Sequence, residues 1–89
     1  MSAFHLKIAT PDGNVFDDPV SQLILRGSEG DLAILTGHIP FATGVQPGSV
    51  KLTLEDGSEL LGHTEGGLLT VGAEHTTLLS SSFRWEETE

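Results

Sequence analysis

The sequence predicts an all-β fold, a small antiparallel β-sandwich, on three observations. Eleven glycines cut the 89 residues into short pieces. Within the pieces apolar and polar residues alternate at period two, the signature of a strand with one buried face. The two longest glycine-free stretches, 14–26 and 73–89, carry no sustained apolar stripe at i, i+3, i+4, i+7, so no long amphipathic helix is available.

In chain order, Phe4, Leu6 and Ile8 come first, alternating with His5, Lys7 and Ala9, which puts three apolar side chains on one strand face. Pro11 and Asp12-Gly13 then mark a turn. Val15-Phe16 and Val20 to Leu25 supply the next strands, and Pro19 confines that region to an edge or a bend. Leu32 to Leu35 is continuously apolar, the pattern of a sandwich-core strand. Gly37, Pro40, Gly44, Pro47 and Gly48 interrupt the stretch between it and Val50.

Val50, Leu52 and Leu54 alternate up to Asp56-Gly57, the strongest hairpin signal in the chain. A two-residue turn there sets Leu52 opposite Leu61; a three-residue turn with a bulge sets it opposite Leu60. Gly66-Gly67 leads tightly into Leu68 to Val71, expected as a buried strand, and the last strand runs from about Thr76 to Ser80. Eight to ten strands are expected in one domain, residues 1–80. Residues 81–89 form a short acidic tail expected to fray, with Phe83 and Trp85 able to pin part of it.

Composition narrows the chemistry. Four Lys+Arg against thirteen Asp+Glu give a formal charge of −9, which opposes nucleic-acid and anionic-lipid binding. No cysteine is present, so disulfides, thiolate nucleophiles and Cys-ligated metals are excluded. Met1 to Lys7 lacks the basic start and apolar run of a signal peptide, and no apolar run approaches the roughly 20 residues of a membrane span. Association with a membrane is expected only through another subunit.

His5, His38, His63 and His75 are scattered without metal-ligand spacing. No Gly-x-Ser-x-Gly elbow or phosphate-binding Gly-Lys-Ser/Thr occurs, and carboxylates in Gly27-Ser28-Glu29-Gly30-Asp31 oppose the charge an oxyanion or phosphate site must stabilise. The expectation is no catalytic residue, no metal, no nucleotide site and no cofactor. A free-standing β-sandwich that captures a peptide at a sheet edge is the alternative reading.

Four motifs in order carry a resemblance. They are Leu6-x-Ile8-x-Thr10-Pro11-x-Gly13-x-Val15-Phe16; Gly27-Ser28-Glu29-Gly30-Asp31-Leu32-x-Ile34-Leu35-x-Gly37-His38-x-Pro40; Pro47-Gly48-x-Val50; and Gly66-Gly67-Leu68-Leu69-x-Val71. Together they resemble the N-terminal β-domain of the F-type ATP synthase epsilon subunit, called delta in mitochondria. The resemblance implies a flattened sandwich of two roughly five-stranded sheets on the central stalk. The implied role is a non-catalytic rotor part, a peripheral subunit on the cytoplasmic face of the bacterial inner membrane, coupling the gamma subunit to the c ring for ion-driven ATP synthesis.

The resemblance also assigns surfaces. The loop Ser28, Glu29, Gly30 and Asp31 is expected to face the c ring. Thr10, His38 and Thr43 match positions that pack against gamma, His38 as a polar contact or, through its titration range, as a pH-responsive one. Epsilon subunits typically continue into two antiparallel helices that restrain hydrolysis. The residues after Ser80 are too few for one stable helix, so the expectation is a short form, natural or truncated, without that module.

Overall fold

Period-two alternation does the folding work. In the computed structural model, which describes residues 3–28, 30–35, 40–73 and 75–86, the described residues form nine strands. These are β1 (Phe4–Thr10), β2 (Gly13–Gly27), β3 (Gly30–Leu35), β4 (Phe41–Val45), β5 (Gly48–Leu54), β6 (Glu59–Thr64), β7 (Gly67–Val71), β8 (His75–Ser80) and β9 (Phe83–Trp85).

The pairings divide the strands into two five-membered sheets that share β2. The first half of β2 opens one sheet, in the order β2-β1-β8-β7-β4; its second half belongs to the other, β3-β2-β5-β6-β9. A single pair, Gly27 with Val45, joins β2 to β4 and stitches the sheets at one end. β1 and β8 run parallel, with His5 opposite His75 and Ala9 opposite Leu79; among the described residues the other pairs are antiparallel. Parallel neighbours need a long connection, and here the intervening strands provide it.

Between the sheets lies one core. Leu6, Ile8, Leu69, Val71 and Leu78 from the first sheet meet Leu23, Leu25, Ile34, Val50 and Leu52 from the second. The apolar residues predicted on β1, Phe4, Leu6 and Ile8, are all buried.

Val15-Phe16 and Val20–Leu25 are not separate strands but one fifteen-residue β2. Pro19 is exposed at the point where β2 leaves β1 and takes up β5. A bulge follows between Val20 and Gln22, and it shifts the alternation so that both Val20 and Leu23 face inward. Ser21, the extra residue, donates its hydroxyl to Thr53 O at 3.2 Å. One strand can therefore serve both sheets.

Leu32–Leu35 differs from the core strand its composition suggested. Among the described residues β3 pairs only with β2, at the sheet edge; Ile34 is buried, whereas Leu35 is 49% exposed. A strand with one covered face buries only alternate residues, whatever their polarity. The same reason leaves Leu68 exposed in β7 while Leu69 and Val71 are buried.

The hairpin at Asp56-Gly57 takes the three-residue turn, with Leu52 opposite Leu60. Leu54 N donates to Ser58 O, Gly57 N donates to Leu54 O, and Gly57 has φ +92°, a region only glycine enters freely. The tail contributes structure of its own: β9 pairs with β6, and its Phe83 and Trp85 pin it as the sequence allowed. Trp85 meets Phe83 edge-on at 4.9 Å between ring centroids and Phe16 at 6.0 Å, closing the open side of the sandwich. Phe83 lies over Gly62, where a side-chain carbon would stand 2.5 Å from its ring.

Gly66-Gly67 serves packing. A β-carbon on Gly67 would fall 1.9 Å from Leu79 O, and one on Gly66 would fall 2.9 Å from Val45 O. The pair lets three segments converge at the end of the sandwich where β2 joins β4.

Candidate functional site

Two surfaces meet at that end. The first is the β2–β3 hairpin. Gly27 pairs with Gly30, and Ser28 follows Gly27 at the turn. Gly30 sits at φ +129°, which an L side chain rarely adopts. Ser28 is exposed and Asp31 is exposed beside it; Asp31 accepts from Arg26 Nε at 3.3 Å with both groups largely in solvent. Such an exposed pair is worth little, which leaves Asp31 able to exchange Arg26 for another cation. Glu29 lies outside the described residues.

The turn end of the hairpin is strapped to β4. Ser28 N donates to Gly44 O at 3.0 Å and Gln46 N to Arg26 O at 3.0 Å. Gln46 Nε2 donates to Ser28 O at 3.3 Å, and the Ser28 and Thr43 hydroxyls are 3.4 Å apart. Ser28 and Thr43, read from sequence as belonging to different surfaces, are therefore neighbours. Thr43 also donates to Gly44 O at 3.2 Å.

The second surface is the outer face of the sheet β2-β1-β8-β7-β4. Register places Ala9 opposite Leu79, Leu79 opposite Leu68 and Leu68 opposite Gly44. Directly paired residues share a face, so these four form an apolar row across four strands. Leu79 is 50% and Leu68 44% exposed. Two residues away a second row runs parallel to it, the polar Lys7, Thr77 and Thr70 ending at Ala42. Beyond that His5 stands opposite His75 and bonds the Asp17 carboxylate.

Thr10 directly follows Ala9 and Thr43 directly precedes Gly44, so strand alternation turns both away from the apolar row: Thr43 stands opposite the buried Leu69, and Thr10 shares the strand face of the buried Ile8. Thr10 also holds the β1–β2 turn: its hydroxyl donates to Gly13 O at 3.3 Å and accepts from Asp12 N at 3.2 Å. His38 lies outside the described residues.

Leu68 and Leu79 were not singled out from the sequence, although a signal was present. Adjacent leucines, Leu68-Leu69 and Leu78-Leu79, cannot both point into one core from a single-faced strand. Each pair therefore announces one exposed leucine, and cross-strand register decides whether the exposed members meet. Nothing in the geometry of the described residues converges on a reacting atom. The arrangement suits binding between surfaces: an apolar strip for a protein partner, with an acidic hairpin at its end.

Comparison with known proteins agrees with this description. A family profile described as the ATP synthase delta/epsilon chain, beta-sandwich domain, matches residues 3–86. A relative from Acetobacterium woodii, the ATP synthase epsilon chain, sodium ion specific, is 37% identical over 84 residues; the match covers 94% of this chain and 63% of the relative. Among solved structures, a chain of the Euglena gracilis mitochondrial ATP synthase (OSCP/F1/c-ring) superposes with a TM-score of 0.89 at 20% identity, covering 96% of this chain and 54% of that one. A chain from the Tetrahymena thermophila mitochondrial ATP synthase central stalk and c-ring gives 0.75 at 15% identity, covering 93% and 66%. The two structures show the same fold, and the chain spans less than two-thirds of the length of each of these three proteins.

Proposed function

The chain belongs to the ATP synthase delta/epsilon family, matching its β-sandwich domain, and from that premise we propose that it is a non-catalytic rotor part that couples the gamma subunit to the c ring. Its place is peripheral, on the cytoplasmic face of the membrane that holds the ring. One observation carries the reading: the in-register apolar row Ala9-Leu79-Leu68-Gly44, flanked on the same face by Lys7, Thr77 and Thr70. We assign this face to gamma, because an apolar strip bordered by the polar Lys7, Thr77 and Thr70 has the composition of a protein interface, apolar at its centre and polar at its rim. The β2–β3 hairpin, with Ser28, Glu29, Gly30 and Asp31, faces the ring.

The mechanism is transmission of load. Torque applied at the hairpin reaches Gly44 and Thr43 through the bonds that tie Ser28 and Gln46 across to β4. Gly44 is itself the end of the apolar row, so the ring-facing and gamma-facing surfaces share a hydrogen-bonded joint. Paired strands over a close-packed core deform little, and the domain acts as a stiff wedge. Asp31 orients the ring end by charge, at the expense of its exposed contact with Arg26.

Two variants test the two surfaces separately in the assembled enzyme. Leu68→Asp combined with Leu79→Asp should abolish co-purification with gamma while the isolated domain keeps its strand circular dichroism. Asp31→Lys should leave gamma binding intact and reduce ion-driven ATP synthesis. Full gamma binding by the leucine variant defeats the assignment of that face and favours the free-standing module. Normal synthesis with Asp31→Lys removes the role given to the hairpin.

A further inference from the structure

The chain contains two Asp-Gly dipeptides, Asp12-Gly13 and Asp56-Gly57. Asp-Gly is the sequence most prone to backbone isomerisation, because a following glycine leaves its amide nitrogen sterically open to the aspartyl side chain. In that reaction the Gly nitrogen attacks the Asp Cγ. A nitrogen–carbon bond forms, the carboxyl hydroxyl leaves as water, and a succinimide results. Water then adds back at either carbonyl, which restores aspartate or leaves the chain running through Cγ as isoaspartate. One water is lost and one regained, with no redox change.

The fold treats the two sites differently. Both glycines are sterically open, with no atom within 4 Å of where a side chain would begin, so packing does not separate them. Hydrogen bonding does. Asp56 Oδ1 accepts from Ser58 N at 2.9 Å and from Ser58 Oγ at 2.6 Å. The Gly57 N–H is committed to Leu54 O at 3.0 Å. Rotating the Asp56 carboxyl towards the Gly57 nitrogen breaks the Ser58 contacts, and using that nitrogen as nucleophile breaks the third. The same bonds hold the Asp56 carboxyl below the usual carboxylate range, chiefly through the Ser58 side chain, which keeps it from the neutral form that loses hydroxyl.

Asp12 carries no such restraint on its reacting side chain. It is exposed, and among the described residues its carboxylate takes no hydrogen bond and no ion pair; only its N–H is held, by the Thr10 hydroxyl. We infer that Asp12 is the position at which the folded protein undergoes aspartyl–isoaspartyl isomerisation, and that the β5–β6 turn withholds the same reaction from Asp56. The modification adds a methylene to the β1–β2 turn beside Thr10.

The four basic residues make the test direct. Trypsin, cutting after Lys7, Arg26, Lys51 and Arg84, places the two sites in different peptides, 8–26 and 52–84. The 89-residue chain is aged at neutral pH and 37 °C, folded or in urea, and isoaspartate is located by electron-transfer fragmentation. In the folded chain isoaspartate should accumulate at Asp12 about tenfold or more faster than at Asp56, since at least two hydrogen bonds must break first at the latter. In urea the two rates should become comparable. Ser58→Ala, verified as folded, should raise the Asp56 rate and leave Asp12 unchanged. Equal rates in the folded chain, a faster Asp56, or a folded Asp12 that stays unmodified while the unfolded chain reacts would each overturn the inference. An unchanged Asp56 rate in folded Ser58→Ala would remove the role given to the turn.

Discussion

Single hydroxyls separate two kinds of buried threonine. Thr64 Oγ1 accepts from Gly66 N at 3.0 Å and lies 2.6 Å from Ser80 Oγ, whose own hydrogen goes to Ser82 O at 2.7 Å. A serine hydroxyl has one hydrogen, so Thr64 is the donor to Ser80 and every member of the chain is satisfied. Thr76 Oγ1 is equally buried but has no partner among the described residues. Thr76→Val should therefore stabilise the protein by about 1 kcal/mol, whereas Thr64→Val should cost about 1–3 kcal/mol by orphaning its partners. Urea denaturation of both variants checks this, and a destabilised Thr76→Val would contradict it. Asp56 supplies a pH dependence at the same scale. Its folded pKa is depressed by Ser58, so its contribution is full above the ordinary carboxylate pKa and is lost as pH falls through the folded value. The stability gap between wild type and Ser58→Ala should thus be widest at neutral pH and narrow in acid; a gap independent of pH would disprove the coupling.

Among the elements, β9 shows how a strand is recruited to finish a sandwich. It is only three residues long, and pairing with β6 alone is a weak reason to order it. Phe83 fills the space that Gly62 leaves on β6, and Trp85 joins Phe16 across the opening between the sheets. Gly62→Ala should destabilise the fold by about 1–3 kcal/mol through overpacking against the Phe83 ring. Part of that loss should return in the Gly62→Ala, Phe83→Leu double variant, a non-additivity that a double-mutant cycle in thermal melts measures. Strict additivity would mean that the two residues do not share that space. The β5–β6 hairpin gives the complementary lesson: its presence was legible in Asp56-Gly57, but its register was not, because both turn lengths place a leucine opposite Leu52. The bulge at Gly57 decided it.

At the scale of the molecule, charge opposes the fold that burial builds. The chain carries −9, and three of its four Lys and Arg residues are engaged in exposed contacts, Arg26 with Asp31, Lys51 with Glu59 and Arg84 with Glu65. Exposed pairs contribute little, whereas excess like charge on a small body destabilises it. Raising ionic strength from about 0.01 to 0.15 M, which shortens the screening length to about 8 Å, should raise the melting temperature at neutral pH. A falling melting temperature would show that the ion pairs outweigh the repulsion. The same surplus of acid makes the apolar row on the outer sheet face conspicuous as a place where a partner can dock without charge repulsion.

From the chain alone came the all-β class, the inward faces of β1 and β5, the turns, and the motifs that carry the family resemblance. These are local properties: alternation and turn chemistry act over a few neighbouring residues. Tertiary structure alone decided that β2 serves both sheets, that β1 and β8 run parallel, and that Leu32–Leu35 forms an edge. It also decided that Ser28 touches Thr43 and that Leu68 and Leu79 line up. Each depends on pairing between residues far apart in sequence, where register, bulges and the identity of the neighbouring strand select among arrangements that local pattern leaves equally open.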